Sequence, residues 1–445
     1  MNIFTPFVIH YNRKSISKLL NKRINFFKEK RVNEFNRHFD IIFQNIGLLN
    51  MITSAFPYLT LLLFIASTLV YIESTTKAKI FEYLPAIVIL YFTIMILSTL
   101  GLWSTINEEG KIIYSDNVTA VYKAFKSNLL PAMIFLMLLQ SDIRRILKLG
   151  KKILLTFFLA SLSISLGFII MFALLHNSFE PEAWKTFGSL SGSWMGGTGN
   201  MLAIQEALEL NGDKMGNVLL IDSIDYAIWV MTLLALVPFA KRFNHWTKAD
   251  GSVLETLGTT LNQESEQKTI NFPSLFMLLG VALMVSVIAQ AIASTLPTTS
   301  FLTQTTWVVI FATLAGVVAG VTPLSKEASA QPLANMMLYL IVALIASRAN
   351  FSQLTNAPLY IMAGFMIITI HASIMVIFAK LFKLDLFSLG VASLANIGGV
   401  ASAPILAGAY NRALIPIGVL MAMMGYIVGT FMGLGVSQVL KMIAL

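Results

Sequence analysis

The sequence predicts an all-α polytopic membrane protein made of two related halves. Three observations carry this reading. Over 445 residues 56% are apolar and only 12% charged, with a mean hydropathy of +0.76, well above a water-soluble globule of this size. Apolar windows of roughly 18–25 residues, the length that spans a bilayer, recur after position 51. One long polar interruption, 241–271, falls near the middle of that region, with the same order of motifs on either side.

The 31 Lys and Arg against 22 Asp and Glu give a formal charge of +9. Basic loops at a lipid surface account for that excess, so nucleic acid is not expected as a partner. There is no cysteine, which removes disulfides, thiolate metal sites and cysteine nucleophiles, and the five histidines (His10, His38, His176, His245, His371) are scattered. No phosphate-binding loop, nucleophile elbow or HExxH motif is present. An enzyme is not expected, no cofactor is implied beyond Na⁺ as a coupling ion, and the energy source reads as an ion gradient.

Residues 1–50 hold nine Lys and Arg against three acids, a local +6 that leaves +3 for the rest, and read as a basic extension. Spans are expected near 55–72, 84–103, 129–141, 153–176 and 217–240 in a first repeat (51–240). After a cytoplasmic linker (241–271) they are expected near 272–294, 304–323, 330–347, 357–379 and 413–437 in a second repeat (272–445). Two further apolar stretches, 187–208 and 387–408, are broken by small polar and glycine residues. The halves share F-P-x-L-x-x-L-L at Phe56 and Phe272, a proline in the third span (Pro131, Pro332) and a Gly-Gly break before the last span (Gly196-Gly197, Gly398-Gly399). That common order marks an internal repeat.

The positive-inside rule discriminates two topologies. With the basic loop Arg144, Arg145, Lys148, Lys151, Lys152 inside, full crossing of both broken stretches gives ten Lys and Arg inside and twelve outside over 51–445. Folding both back as re-entrant hairpins gives 15 inside and seven outside. The hairpin topology is preferred over a pair of glycine-kinked packing helices. Five spans per half then make the repeats inverted, with the glycine tips meeting near the midplane. This topology places the N-terminus outside, where the +6 extension breaks the rule. Residues 1–50 are thus either an external basic arm or a segment ahead of a native start at Met51, and the repeat, which begins there, favours the second.

The first tip, with Ser193, Gly196, Gly197, Thr198 and Asn200, leaves helical geometry cheaply and offers hydroxyls, an amide and freed backbone N–H groups to a carboxylate or other anion. The second tip, with Asn396, Gly398, Gly399 and Ser402, has the same chemistry with fewer hydroxyls. Asp222 and Asp225 lie three residues apart on one face of a span, with Tyr226 beside them. An ionised carboxylate there costs at least ~2.5–3.5 kcal/mol on insertion scales, so the pair reads as a coupling-ion site, with Glu206 and Gln205 weaker candidates. No equivalent acid occurs in the last span. His371 reads as a hydrogen-bonded packing residue, Arg412 as a marker of the cytoplasmic interface, and Gly425, Gly429 and Gly433 as a packing ridge.

The runs SWMGGTGNMLAIQE at 193–206, LLPAMIFLMLLQ at 129–140 and SLANIGG at 393–399 resemble the bacterial and plastid membrane family called domain of unknown function 819, over about 51–445. More distantly the pattern is similar to the cation:proton antiporter and anion transporter group, including sodium–glutamate and 2-hydroxycarboxylate carriers. The resemblance implies inverted five-span repeats, a homodimer in the bacterial cytoplasmic membrane, and substrate and ion bound where the hairpins meet. It supplies no substrate, and the binding arginine typical of hydroxycarboxylate carriers has only Arg412 as a loose counterpart. The reading that results is a secondary active transporter of a small anionic organic solute, coupled to Na⁺ or H⁺ by alternating access. Its alternatives are a cation:proton antiporter without organic substrate, and a membrane receptor or scaffold.

Overall fold

The computed structural model describes residues 52–76, 81, 85–106, 112–249, 269–299, 302–349 and 357–445. The extension 1–50 and the linker centre 250–268 lie outside the described residues. The helices form the unit Thr53–Leu445.

The first half contributes α1 (Ala55–Thr76), α2 (Ala86–Thr99), a two-stranded antiparallel hairpin of β1 (Ser104–Ile106) and β2 (Ile112–Tyr114), α3 (Asp116–Leu139), α4 (Ile143–Leu147), α5 (Lys151–Leu175), α6 (Ala183–Gly196), α7 (Thr198–Ala207), α8 (Met215–Leu236) and α9 (Ala240–Thr247). The second contributes α10 (Phe272–Ala293), α11 (Gln304–Gly320), α12 (Ala330–Ala346), α13 (Ala357–Phe382), α14 (Leu386–Ile397), α15 (Gly399–Tyr410) and α16 (Ile415–Ala444). Helices dominate because apolar backbone removed from water must bond within its own segment. Their starts follow side-chain caps: Asn271 Oδ1 accepts from Ser274 N–H at 2.9 Å, Thr303 Oγ1 from Thr306 N–H at 3.2 Å, and Asp385 Oδ1 from Ser388 N–H at 2.7 Å.

Seven helical segments among the described residues are long and apolar enough to cross a bilayer: 55–76, 116–139, 151–178, 215–247, 272–293, 357–382 and 415–444. The other three expected spans are shorter. α2 has 14 residues and α11 and α12 have 17 each, hence about 21–26 Å against a hydrocarbon core of about 30 Å. The hydropathy windows overrun the ends of α2 and α11, which Pro85, the Gly101 turn at φ +76° and the Thr322-Pro323 turn set locally, whereas α12 fills its expected span 330–347 to within a residue. In contrast α3 starts at Asp116, far ahead of the expected 129, because Lys123, Lys126, Ser127 and Asn128 dilute the hydropathy of its first half without breaking the helix. The start of the expected linker is helical, within α9.

Both broken stretches double back. α6 and α7 run antiparallel, with Gly188 against Leu208 and Gly192 against Ile204. The ion pair between Glu180 and Lys214 holds the entry and exit of this hairpin side by side. α14 and α15 repeat the arrangement: Gly390 lies against Leu406, and the rings of Phe387 and Tyr410 meet edge to face at 5.4 Å.

Two groups of helices result. α3 packs against α10, α11 and α12, and α1 and α2 pack against α12. Ser347, at the end of α12, ties this group together: Tyr58 OH is 2.5 Å from its Oγ, and its carbonyl oxygen accepts from Ser98 Oγ and Trp103 Nε1, both at 2.8 Å. The second group holds α5, α8, α13, α16 and both hairpins, with α16 along α6 and α5 along α13. Between the groups, α7 meets α3 and α11 through the Lys126–Glu206 ion pair and the bond from Thr306 Oγ1 to the Ala207 carbonyl oxygen, 2.9 Å.

Candidate functional site

Each hairpin turns on a glycine that an L side chain would strain. Gly197 has φ +84° and Gly399 φ +59°, in the left-handed region where only glycine is at ease. The first hairpin is seated on α16 by a small-residue zipper of constant register. A Cβ on Gly429 would stand 2.7 Å from Gly196 Cα, one on Gly433 3.1 Å from Gly192 Cα, and one on Gly188 3.1 Å from Ser437 Cβ. The ridge on α16 is therefore structural, as its spacing predicts, and it meets a matching ridge on α6 that sequence reading passed over.

The two tips converge at Gly425. A Cβ there would lie 3.1 Å from the Ala395 carbonyl oxygen of the second hairpin and 3.3 Å from Gly196 Cα of the first. Asn200 is spent on this junction: its Nδ2 donates to the Gly425 carbonyl oxygen at 3.0 Å, and its Oδ1 accepts from Thr430 Oγ1 at 3.0 Å. Asn396 is held equally, its Oδ1 accepting from Ser161 Oγ on α5 at 2.7 Å and its Nδ2 donating to the Ala392 carbonyl oxygen at 2.9 Å. Both amides thus act as clamps on the tips. Thr198 opens α7 half-buried, and Ser402, buried, faces Gly398 with the ring of Tyr226 on the same side.

α8 reaches both tips with one face. Asp222 Oδ1 accepts from Ser193 Oγ at 2.8 Å and from Trp194 Nε1 at 3.0 Å, both in the last turn of α6. Tyr226, one turn on, lies against Gly398, and Trp229 Nε1 donates to Ser393 Oγ of α14 at 2.8 Å. Asp225, between them, has 0% exposure. Its two oxygens have no hydrogen-bond partner among the described residues, and it abuts Gly364 of α13, where a Cβ would overlap its carboxyl.

His371 completes a buried chain that joins four elements. Its Nε2 is 2.8 Å from Ser393 Oγ and its Nδ1 2.7 Å from Ser163 Oγ. Ser163 donates to the Ala160 carbonyl oxygen at 2.8 Å, so it accepts from Nδ1–H; Ser393 accepts from Trp229 and donates to Nε2. A neutral imidazole satisfies every member.

Of the expected site residues, the structure brings Ser193, Gly196, Gly197, Thr198, Asn200, Asn396, Gly398, Gly399, Ser402, Asp222 and Asp225 into one region. Glu206 stands apart from them, paired with Lys126 of α3, and Gln205 Nε2 donates to the Leu210 carbonyl oxygen at 3.0 Å. Sequence reading missed Tyr426, whose ring lies beside Gly197, along with Trp229, Ser393, Thr430 and Gly364. One signal pointed to the first. Asn211 and Asn411, each before a short 3-10 turn, and Tyr226 and Tyr426 are both 200 positions apart, and this offset aligns Asp222 with Ala422 and Asp225 with Gly425.

Comparison with known proteins finds membrane relatives of this chain. An uncharacterized membrane protein of Bacillus subtilis (strain 168), YjcL, is 27% identical over 330 residues, covering 70% of this chain and 82% of that protein. The family described as protein of unknown function DUF819 matches residues 60–443, which include both hairpins and α8. The chain belongs to the DUF819 family and is a membrane protein with membrane-spanning helices.

Proposed function

We propose that this protein is a secondary active transporter that binds a small anionic organic solute where the hairpin tips meet and couples its movement to Na⁺ or H⁺ through Asp222 and Asp225. The observation that carries the reading is the convergence of two glycine-broken hairpins, one from each half, beside two carboxyls, Asp225 buried and Asp222 half-buried. Irregular backbone and acids inside membrane-spanning segments are costly, and both are tolerated where they serve a substrate or ion path. Inverted five-span repeats, alternating access, a homodimer and a place in the bacterial cytoplasmic membrane belong to the same proposal. The shared helix order of the halves supports the repeats.

Proteoliposome uptake under imposed Na⁺ and H⁺ gradients, screened over carboxylates, amino acids and small peptides, tests it. Gradient-driven uptake that Asp222→Asn and Asp225→Asn abolish is expected; variants that transport like the unmodified chain would remove the ion role. A second reading, a cation:proton antiporter without organic solute, is favoured by one observation: Ser193, a hydroxyl of the expected anion site, donates to a carboxylate. Na⁺/H⁺ exchange in the same vesicles without added solute distinguishes it.

A further inference from the structure

Asp222 and the first hairpin compete for the same hydrogens. The Ser193 hydroxyl has one hydrogen and the Trp194 indole one N–H, and both are directed at a single oxygen, Asp222 Oδ1, at 2.8 and 3.0 Å. These donors sit in the last turn of α6, just before the break at Gly197, where the proposed solute would bind. Ser193 and Trp194 are buried, at 1% and 0% exposure, so water does not replace a lost bond at little cost. The indole is also packed edge to face on Phe168 at 5.6 Å, which holds its plane independently of the carboxylate.

We infer that Asp222 is a latch that withholds the donors of the first hairpin until a cation arrives, so that the coupling ion binds before the anionic solute. While the carboxylate is uncompensated, Ser193 and Trp194 are bound to it, and its charge repels an anion at the tip. A Na⁺ or H⁺ taken up at Asp222 compensates that charge, frees the Ser193 hydroxyl to rotate to the solute and leaves the Trp194 N–H, its direction fixed by the ring plane, open to it. Linkage makes the effect mutual: the factor by which the ion raises solute affinity is the factor by which the solute raises ion affinity. The inference rests on the proposed solute site. The titratable or charged side chains on helices packed against α8 are Tyr91 of α2, Lys185 of α6, Lys214 of the 3-10 turn Gly212–Lys214, Tyr339 of α12, Tyr360, His371 and Lys380 of α13 and Tyr410 of α15, with Asp225 and Tyr226 on α8 itself. Among the described residues the hydrogen bonds to Asp222 come from Ser193 and Trp194.

Trp194 is a built-in reporter that needs no solute. The purified full chain is titrated with NaCl against choline chloride at constant ionic strength, and then with pH in choline chloride, while tryptophan fluorescence is followed. The signal of Trp194 among the six tryptophans is taken as the difference from Trp194→Phe. A saturable response to Na⁺ or to H⁺ is expected, absent in Asp222→Asn and retained with a shifted midpoint in Asp222→Glu, which keeps the carboxylate should the amide variant not fold. A Trp194 signal unmoved by either ion, or one unchanged in Asp222→Asn, overturns the latch. A responding latch in a chain that carries no solute would sink only the transport reading, whereas cation-driven uptake with a silent Trp194 would sink only the latch.

Discussion

Tyr426 of α16 stands against Gly197 of the first hairpin: a Cβ on that glycine would lie 3.5 Å from the ring. Tyr226 of α8 has the same relation to Gly398 of the second hairpin. The last long helix of each half thus carries a tyrosine that covers a tip, and the tip belongs to the other half in both cases.

The glycines at the tips differ in what a methyl group would meet, so alanine substitutions should fall in a definite order. Gly196→Ala drives a Cβ into the Asn200 side chain and the Gly425 carbonyl oxygen and should cost about 1–3 kcal/mol. Gly399→Ala has open space but φ +59°, for a cost of about 1–2 kcal/mol. Gly280→Ala, with open space in α10 and ordinary helical backbone, should be neutral or slightly stabilising. Thermal unfolding midpoints in one detergent check the order, and an unaffected Gly196→Ala would contradict the close seating of α6 on α16.

Asn200→Leu leaves the Thr430 hydroxyl and the Gly425 carbonyl without their partner and should destabilise by about 1–3 kcal/mol. Thr430→Val should cost less alone and little more when combined with Asn200→Leu. A double-mutant cycle measures this, and simple additivity would mean that the pair does not interact.

The Lys126–Glu206 pair joins α3 to α7, with side chains 17% and 18% exposed. Removing one member strands a charge in a mostly dry place, so Lys126→Met or Glu206→Gln should each destabilise more than the double variant does. Equal losses in all three, read from unfolding midpoints, would assign the pair no more than a surface role.

Asp142, between α3 and α4, caps α4 through Arg144 N–H at 3.0 Å and binds the Arg144 guanidinium. Burial pushes its carboxyl up, but these bonds and the charges of Arg144 and Arg145 prevail and hold it below the usual carboxylate range. A folded value below the unfolded one of about 3.9 means that the contribution is present above that pH and is lost as pH falls through the folded value. Asp142→Ala should cost about 1 kcal/mol at neutral pH and nothing at the acid end of that window. Stability measured across pH for both proteins checks the sign.

Cysteines placed singly at 185 and 214 should react with an impermeant thiol reagent from the same side of a sealed vesicle. The Glu180–Lys214 pair already sets the two ends of the first hairpin together. Labelling from opposite sides would remove the re-entrant topology.

The hairpins were legible in the sequence because glycine pairs interrupt apolar stretches in a way that charge counting could weigh. Both aspartates were legible because an acid inside an apolar window is conspicuous. The true ends of α2 and α11 were not, since hydropathy windows average across the turns at Gly101 and Pro323 that end them. The early start of α3 was hidden for the opposite reason: Lys126 looks like a loop residue until its partner, Glu206, is placed beside it by the fold. The roles of Asn200 and Asn396 were equally out of reach. An amide at a glycine tip suits a ligand as well as a clamp, and the partners that decide the matter, Thr430 and Ser161, are 230 and 235 positions away.

The 200-residue offset that pairs Tyr226 with Tyr426 sets Ala422 and Gly425 opposite Asp222 and Asp225. Small residues there leave the room in which the two tips touch, so carboxylates on α16 would displace the junction itself. The doubled frame is consequently unequal in its chemistry, with one terminal helix given to charge and the other to closure. On the proposed reading this sets a ceiling on stoichiometry: each chain carries at most two monovalent cations per cycle on its acids, however symmetric its helices.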